Sequence, residues 1–264
     1  MINVARVLLV LLACLLLSEH RDSAVAEETT ATSPVRPIRA LLITGGCCHN
    51  YEVQKKLLSE GISARAKVDW TIVHEGGKSS DHKVSIYSDP DWAKGYDVIV
   101  HNECFAKVDD VPFIEGILKP HRNGVPAVNI HCAMHCYRPT GFTGWFEFLG
   151  LHSSTHGPQK PIEVKYLEKE HPITKGLQDW KTINEELYNN VKVFDTAKPL
   201  AKGIQGEDEA VVAWTNDYHG TRVFCTTLGH NDETVGDERF LNLVTRGLLW
   251  SVDKLNRDYV VEPK

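Results

Sequence analysis

The feature that most constrains the fold is a series of short, continuous apolar runs that alternate with segments of helical spacing. Four such runs occupy residues 39–44, 68–73, 96–100 and 126–130. Apolar positions recur at helical spacing in residues 51–58 and 111–118. Continuous apolar runs are typical of strands buried on both faces, and their alternation with helices indicates a mostly parallel sheet covered on both sides. The sequence therefore predicts an α/β fold.

Three later runs differ from these because polar residues alternate with the apolar ones. They occupy residues 162–166, 210–214 and 222–227, and their pattern predicts strands on a more exposed part of the sheet. Residues 238–252 predict a closing amphipathic helix. The sequence contains no internal repeat and no interdomain linker, so we expect one domain over residues 38–256 and a C-terminal tail over residues 257–264.

The first 26 residues are typical of a secretory signal, with a basic residue, a short apolar run and a small-residue cleavage site. We expect cleavage after Ala26, a flexible lead-in over residues 27–37, and export to the periplasm or the cell exterior. The apolar run is too short for a permanent membrane span. A lipoprotein anchored through Cys14 is the weaker alternative, because apolar residues continue past that cysteine.

The composition excludes some classes of function and draws attention to histidine. A formal net charge of −6 gives no electrostatic basis for binding nucleic acid. The chain holds 13 His and only 2 Met. Beyond the signal, cysteines occupy positions 47, 48, 104, 132, 136 and 225. Six cysteines allow 15 full pairings, which the sequence does not distinguish, and the lack of a CxxC pair argues against a zinc ribbon.

Histidine and carboxylate residues occur where several strands are expected to end. His49 follows the first run, Glu103 the third, His131 the fourth and His230 the last. In open parallel α/β sheets, ligands bind outside the carboxyl ends of the strands. Because these side chains would share one rim of the sheet, we expect the functional site there.

Several motifs, taken in order, resemble those of the trehalose-utilisation (ThuA-like) family. They are Gly45-Gly46 with His49, Val128 to His131, residues 145–156, His171 to Leu177, Glu185 to Tyr188, Ala213-Trp214 and Leu228 to His230. The resemblance covers residues 38–252. It implies a class I glutamine amidotransferase-like (flavodoxin-like) three-layer sandwich with a mostly parallel sheet. It also implies a small carbohydrate as partner and a role in bacterial use of disaccharides, often through 3-keto sugars.

The chain departs from the glutamine amidotransferases at their nucleophile. Those enzymes carry a reactive Cys on the elbow between a strand and a helix, whereas the elbow residue here is His131. Cys132 lies one residue beyond the elbow, and a thiolate nucleophile needs a correctly placed His partner. We therefore expect the fold without a Cys-dependent glutaminase activity.

Two mechanisms are open for a rim rich in histidine. In the first, a divalent metal such as zinc or manganese binds there, because neutral imidazoles and carboxylates are common ligands. The candidate ligands are His49, His131, His135, His156, His230 and Glu103. In the second, His131 and His230 act as general base and acid, and Glu185 orients one imidazole. The sequence has no compact metal signature that would decide between them.

Polar and aromatic residues near the rim are candidates for contacts with a sugar. Amide side chains suit sugar hydroxyls, and aromatic rings suit stacking on a sugar ring. The candidates are Asn50, Asn102, Trp214, Tyr188 and Trp145. An aromatic residue in an apolar run is more often part of the core, and the pair Glu185-Glu186 is also compatible with a solvated turn.

We therefore expect an exported protein that acts on a carbohydrate or 3-keto-sugar derivative, as a lyase, hydrolase or isomerase. One alternative is a non-catalytic carbohydrate-binding module with the same rim, and another is a structural domain that a metal stabilises. No nucleotide is expected, because Gly45-Gly46 lacks the later Gly and Lys of a phosphate loop. The sugar and the oligomeric state stay open at this point.

Overall fold

A nine-stranded mixed sheet forms the centre of the computed structural model, which describes residues 35–261. Five neighbouring strands are parallel and lie side by side in the order β2 (Val68–Glu75), β1 (Ile38–Gly46), β3 (Val98–Cys104), β4 (Ala127–Ile130) and β11 (Thr221–Thr226). Four antiparallel strands continue the sheet: β10 (Asp208–Tyr218), β9 (Ala197–Gln205), β6 (Glu163–Tyr166) and β7 (Trp180–Lys181). Two further short strands, β5 (Leu151–His152) and β8 (Lys192–Val193), pair with each other.

Helices cover both faces of the parallel half. On one face lie α1 (Tyr51–Ser63) and α5 (Glu238–Ser251), with the short α4 (Asp232–Val235) beside them. On the other lie α2 (Val111–Arg122) and α3 (Gly144–Leu149). The expected α/β three-layer sandwich is therefore confirmed.

Two hydrophobic cores follow from the alternation of side chains along each strand. In β1, Ala40 and Leu42 pack towards α1 and α5, whereas Leu41 and Ile43 pack towards α2 and α3. All four side chains are fully buried. Burial of a leucine or isoleucine side chain contributes about 1.5–3 kcal/mol, so these two layers hold the carboxyl end of β1 firmly in place.

One strand differs from its sequence-based expectation. The run at residues 222–227 was expected on a more exposed part of the sheet, but β11 lies centrally between β4 and β10. Only Arg222 of this strand is exposed. Its polar residues are buried because they have partners: the Thr221 hydroxyl donates to the carbonyl of His121 over 2.6 Å, and the Thr226 hydroxyl to that of Val212 over 2.8 Å.

Two glycines allow the carboxyl end of β1 to pass close to its neighbours. Gly45 has φ +131°, and a Cβ there would lie 1.9 Å from the carbonyl oxygen of Glu75 in β2. Gly46 has φ +96°, and its Cβ would lie 2.3 Å from the carbonyl oxygen of Cys104 in β3. Only glycine fits these positions without displacing a strand. The following loop, which carries His49, therefore starts at a fixed place.

The ends of the described chain bear on three expectations. The predicted signal at residues 1–26 and most of the lead-in lie outside the described residues. No helix within residues 35–261 is long and apolar enough to cross a membrane. The segment that follows α5 bonds back to the start of β2: Lys67 donates its backbone N–H to Tyr259, and Val261 donates to Arg65.

Candidate functional site

Three histidines from three separate strand ends meet at the carboxyl edge of the parallel sheet. His49 follows β1, His131 follows β4 and His230 lies just after β11. Each offers a ring nitrogen, and these nitrogens all lie within 4.8 Å of one another. The His49 ring centroid is 4.6 Å from that of His131 and 5.0 Å from that of His230. The arrangement brings together three of the residues named from the sequence.

Backbone carbonyls fix the tautomers of two of these rings. Nδ1 of His131 lies 2.6 Å from the carbonyl oxygen of Thr227, and Nδ1 of His49 lies 3.0 Å from that of His230. A carbonyl oxygen only accepts, so each Nδ1 carries the hydrogen and each Nε2 keeps its lone pair. The Tyr188 hydroxyl donates to Nε2 of His131 over 3.2 Å. This pattern of orienting hydrogen bonds is common around metal-binding histidines.

His131 occupies an elbow between strand and turn. Its φ is +47°, a left-handed conformation that non-glycine residues rarely adopt. Residues 131–135 then form one turn of 3-10 helix, and the side chain of His131 is 1% exposed. Such strained conformations persist where the surrounding structure holds them, often at functional sites. The elbow expected from the sequence is present, with His131 at its apex.

Charge and burial set the protonation of the three rings. Burial lowers the pKa of His49 to about 4, and burial also holds the pKa of His131 well below its usual value. The carboxylate of Glu186 instead raises the pKa of His230. The first two rings are therefore neutral at pH 7, which is the form of histidine that binds metals.

Glu186 is the residue that the sequence reasoning missed. Its carboxylate lies 3.4 Å from Nδ1 of His230, 3.6 Å from Nδ1 of His156 and 3.7 Å from Nε2 of His131. Only 5% of the residue is exposed, so the solvated turn considered for it is not what the structure shows. The sequence could have indicated this place for Glu186. Residues two apart in an extended segment share a face, so Glu186 lies on the same face as Tyr188, which was a candidate.

Glu185 has a different place from the one expected. Within residues 35–261 its carboxylate forms no hydrogen bond or ion pair with an imidazole; it accepts backbone N–H bonds from Gly229 at 3.3 Å and from His230 at 3.0 Å. Burial raises the pKa of this carboxyl group to about 7. Glu185 therefore holds the backbone that presents His230, and it acts on the site through that loop.

Four other candidates lie away from the three-histidine cluster. Glu103 points to the face of the sheet that α2 and α3 cover, where it accepts a hydrogen bond from the Tyr87 hydroxyl at 2.9 Å. Asn102 is 2% exposed, and Trp214 is fully buried with its indole N–H donating to the Leu149 carbonyl at 2.7 Å. Nε2 of His135 faces the Ser153 hydroxyl at 2.9 Å.

The remaining candidates flank the cluster. Asn50 is exposed beside His49, and its amide donates to Asp232 over 2.7 Å. His156 is also exposed, and its ring lies 5.7 Å from that of Tyr188. Tyr188 is buried to 1% exposure, and its ring and hydroxyl both contact His131. These residues form the mouth and one wall of the site, whereas the Asn102 and Trp214 side chains belong to the interior.

Two disulfides lie beside the cluster. Cys47 pairs with Cys48 immediately before His49, and Cys104 pairs with Cys132 immediately after His131. Cys136 and Cys225 are buried free thiols. Cys132, the cysteine next to the elbow, is therefore held in a disulfide in this structure.

The disulfide between Cys104 and Cys132 gives a prediction about stability. It closes a loop with a sequence separation of 28, and a loop of that size should lose about 3.5 kcal/mol of stability on opening. We expect Cys104→Ser with Cys132→Ser to lower the free energy of unfolding in urea by that amount. The matched control, Cys47→Ser with Cys48→Ser, should change it little, because adjacent cysteines close almost no loop. Equal losses in both double variants would contradict this account.

Comparison with known proteins bears on family and fold. The family model described as trehalose utilisation (ThuA) matches residues 43–251. The comparison with curated proteins gives no match.

Three of the solved structures that are similar to this chain match it over most of their own length. A protein described as ThuA-like from Parabacteroides merdae gives a TM-score of 0.63 at 21% identity, covering 82% of this chain and 90% of that one. A second, from Bacteroides uniformis, gives 0.62 at 15% identity, covering 84% and 94%. A Thermoplasma acidophilum protein described as part of a GMP synthase gives 0.53 at 13% identity, covering 82% and 96%. At these identities the likeness shows the fold alone, which is that of the glutamine amidotransferase-like proteins.

Proposed function

This chain belongs to the trehalose-utilisation (ThuA) family, and from that premise we propose that it acts on a carbohydrate or 3-keto-sugar derivative through a divalent metal. The ligands in this proposal are His49, His131 and His230. The observation that carries it is the convergence of three ring nitrogens within 4.8 Å of one another at the carboxyl edge of the sheet. Zinc and manganese are the metals that we propose.

The donor set fits such an ion. Three protein ligands with an open position are typical of catalytic zinc sites. His49 and His131 are held neutral by burial, and each turns Nε2 away from the carbonyl that fixes its Nδ1. Nδ1 of His230 is buried without a hydrogen bond of good geometry among the described residues. This nitrogen lies 3.4 Å from the carboxylate of Glu186, which raises the pKa of the ring, so an ion that bound there would displace a proton.

Each residue around the ligands has a role in this proposal. A bound divalent ion would polarise a sugar carbonyl or hydroxyl, or lower the pKa of a bound water. Glu186 would serve as the general base, because its carboxylate lies 3.4 Å from Nδ1 of His230 and 3.7 Å from Nε2 of His131, beside two of the proposed ligands. The Tyr188 hydroxyl lies 3.2 Å from Nε2 of His131, and it would be free to donate to a substrate oxygen if that nitrogen bound an ion. Glu185 keeps His230 in position.

The same geometry argues for an enzyme over a binding module. Carbohydrate-binding surfaces offer exposed aromatic faces to sugar rings. Of the aromatic candidates, Trp214, Trp145 and Tyr188 are at most 1% exposed. A buried carboxylate beside three histidines serves proton transfer better than it serves sugar binding.

The test uses the chain purified without chelator or affinity tag. We expect elemental mass spectrometry to find close to one zinc or manganese ion per chain, and 3-ketotrehalose to be consumed in a reaction that a chelator stops. Absence of metal after incubation with both ions would overturn the metal site. Turnover that resists the chelator would favour acid–base catalysis by His131 and His230, and binding without turnover would favour the carbohydrate-binding module.

We propose that this reaction takes place outside the cytoplasm. The support is the signal-like sequence of residues 1–26. Sequencing of the amino terminus of the protein recovered from the periplasm or medium should give Glu27 as the first residue, and an intact Met1 in the cytoplasmic fraction would overturn export.

A further inference from the structure

A half-buried arginine lies beside the candidate site and has no acidic partner among the described residues. Arg138 comes three residues after His135, and its guanidinium donates one hydrogen bond, to the carbonyl of Ser154 at 3.3 Å. No carboxylate within residues 35–261 forms an ion pair with it. A guanidinium has five N–H donors in a planar fork that matches a carboxylate or a phosphate. Most of that donor capacity is therefore not used by the part of the chain that the structure describes.

The imidazoles around Arg138 do not compensate its charge. Arg138 is half-buried, and this burial lowers the pKa of its guanidinium. Burial and then the Arg138 charge lower the pKa of His135 to about 3, and they act in the same direction on His152. Neither His135 nor His152 therefore carries a negative charge that would offset the charge of Arg138. A partly desolvated cation of this kind is stabilised when an anion binds beside it.

A short stack of rings connects this position to the proposed metal site. The rings of His135 and Tyr188 stack with centroids 4.1 Å apart and an interplanar angle of 4°. The Tyr188 hydroxyl then reaches Nε2 of His131. His156, 43% exposed at its side chain, lies 6.4 Å from His135 across the mouth. The charge of Arg138 acts on both rings of this stack, and Tyr188 in turn contacts His131.

We propose that Arg138, with His156 at the mouth, forms a subsite for an anionic group, so that the site binds an acidic or phosphorylated sugar more tightly than the corresponding neutral sugar. This inference rests on the proposed function, because it names the class of carbohydrate that would reach the three histidines. The guanidinium binds the carboxylate or phosphate through paired N–H donors. The uncharged part of the sugar then extends towards Tyr188 and His131.

Isothermal titration tests this with three sugars that share a ring: D-glucose, D-glucuronate and glucose 6-phosphate. We expect at least one of the two anionic sugars to bind the wild-type chain about tenfold to a hundredfold more tightly than glucose, as charge-assisted hydrogen bonds predict. Arg138→Met should remove that preference, and Arg138→Lys should keep part of it. The matched control is Arg222→Met, which removes the same charge at the amino end of β11, opposite the site.

The outcomes separate this inference from the proposed function. Equal affinity for glucose and both anionic sugars, or a preference that survives Arg138→Met, overturns the anionic subsite and leaves carbohydrate binding standing. If no sugar binds, the carbohydrate proposal fails, and titration with inorganic phosphate decides on the subsite. Phosphate binding that is lost in Arg138→Met and kept in Arg222→Met supports the subsite, and any other phosphate result overturns it.

Discussion

His131→Ala should bind zinc or manganese at least about a hundredfold more weakly than the wild-type chain and should lose turnover of 3-ketotrehalose. Loss of residues that only orient a ligand typically costs 10–100-fold in metal affinity, so loss of a ligand itself should cost at least the upper end of that range. His131 is the central residue of the cluster, since its ring contacts those of His49, Tyr188 and His230. We also expect His49→Ala and His230→Ala to lower the affinity of the chain for zinc or manganese.

The control for this series removes a histidine without touching the rim. His219 lies at the exposed turn between β10 and β11, at the opposite edge of the sheet, and has φ +55°. His219→Asn suits that left-handed conformation and should keep the metal affinity of the wild type. Titration of each metal-stripped variant with zinc, followed by elemental analysis, provides the measurement. Stoichiometric metal in all three rim variants would mean that the three histidines do not hold it.

Glu186→Gln separates metal binding from proton transfer. Glutamine keeps the size of the side chain and removes its ability to take up a proton, so we expect near-normal metal content together with turnover reduced at least about a hundredfold. The same substitution at Glu185 should instead lower metal affinity modestly, because a glutamine oxygen still accepts one backbone N–H bond from the loop of His230. Identical effects of the two substitutions would contradict the separate roles assigned to these neighbours.

The sequence alone predicted the position of the site, because the order of strands and helices determines which residues follow the carboxyl ends of the parallel strands. Continuous apolar runs predict parallel strands, and the residues that follow them must share one edge of the sheet. His49, His131 and His230 follow β1, β4 and β11, and the structure brings them together as expected. The pairing of β11 with β4 was not predictable from local pattern, because the buried threonines of β11 resemble the polar residues of an exposed strand.

Side-chain direction was harder to predict than position in the chain. In β3, Ile99 packs with the core on the α2 and α3 side, so alternation places His101 and Glu103 on that side also. The same parity turns Asn102 towards the opposite layer, where it is buried. A shift of one residue in the assigned end of a strand moves each side chain to the other face of the sheet. The sequence did not define the ends of the apolar runs to within one residue, so it did not determine which side chains face the site. Glu185 and Glu186 are neighbours in the chain, so their side chains also point in different directions: Glu185 faces the backbone of His230, and Glu186 faces the imidazoles.

The buried histidine pair on the α2 side predicts the behaviour of the protein in acid. His121 is fully buried at the end of α2, with Nδ1 at 2.7 Å from the Val125 carbonyl and Nε2 at 3.2 Å from Nε2 of His101. Burial, with a contribution from His101, lowers the pKa of His121 from its ordinary value of 6.5 to about 3. Between these two values the unfolded chain binds a proton that the folded chain does not. Stability is therefore present in full above pH 6.5 and falls as the pH drops towards 3.

His121→Gln should remove this part of the pH dependence. Each pKa unit corresponds to about 1.4 kcal/mol, so the wild-type chain should lose about 3 kcal/mol from this group between pH 6.5 and pH 4. At pH 8 we expect the variant to be the less stable of the two, because His121 stacks on Phe148 with centroids 4.6 Å apart. Urea unfolding at pH 8, 6, 5 and 4 should therefore give curves of stability against pH that converge or cross on acidification. His219→Asn should follow the wild-type curve, and a His121→Gln curve parallel to the wild type would show that His121 takes up its proton equally in the folded and unfolded chains.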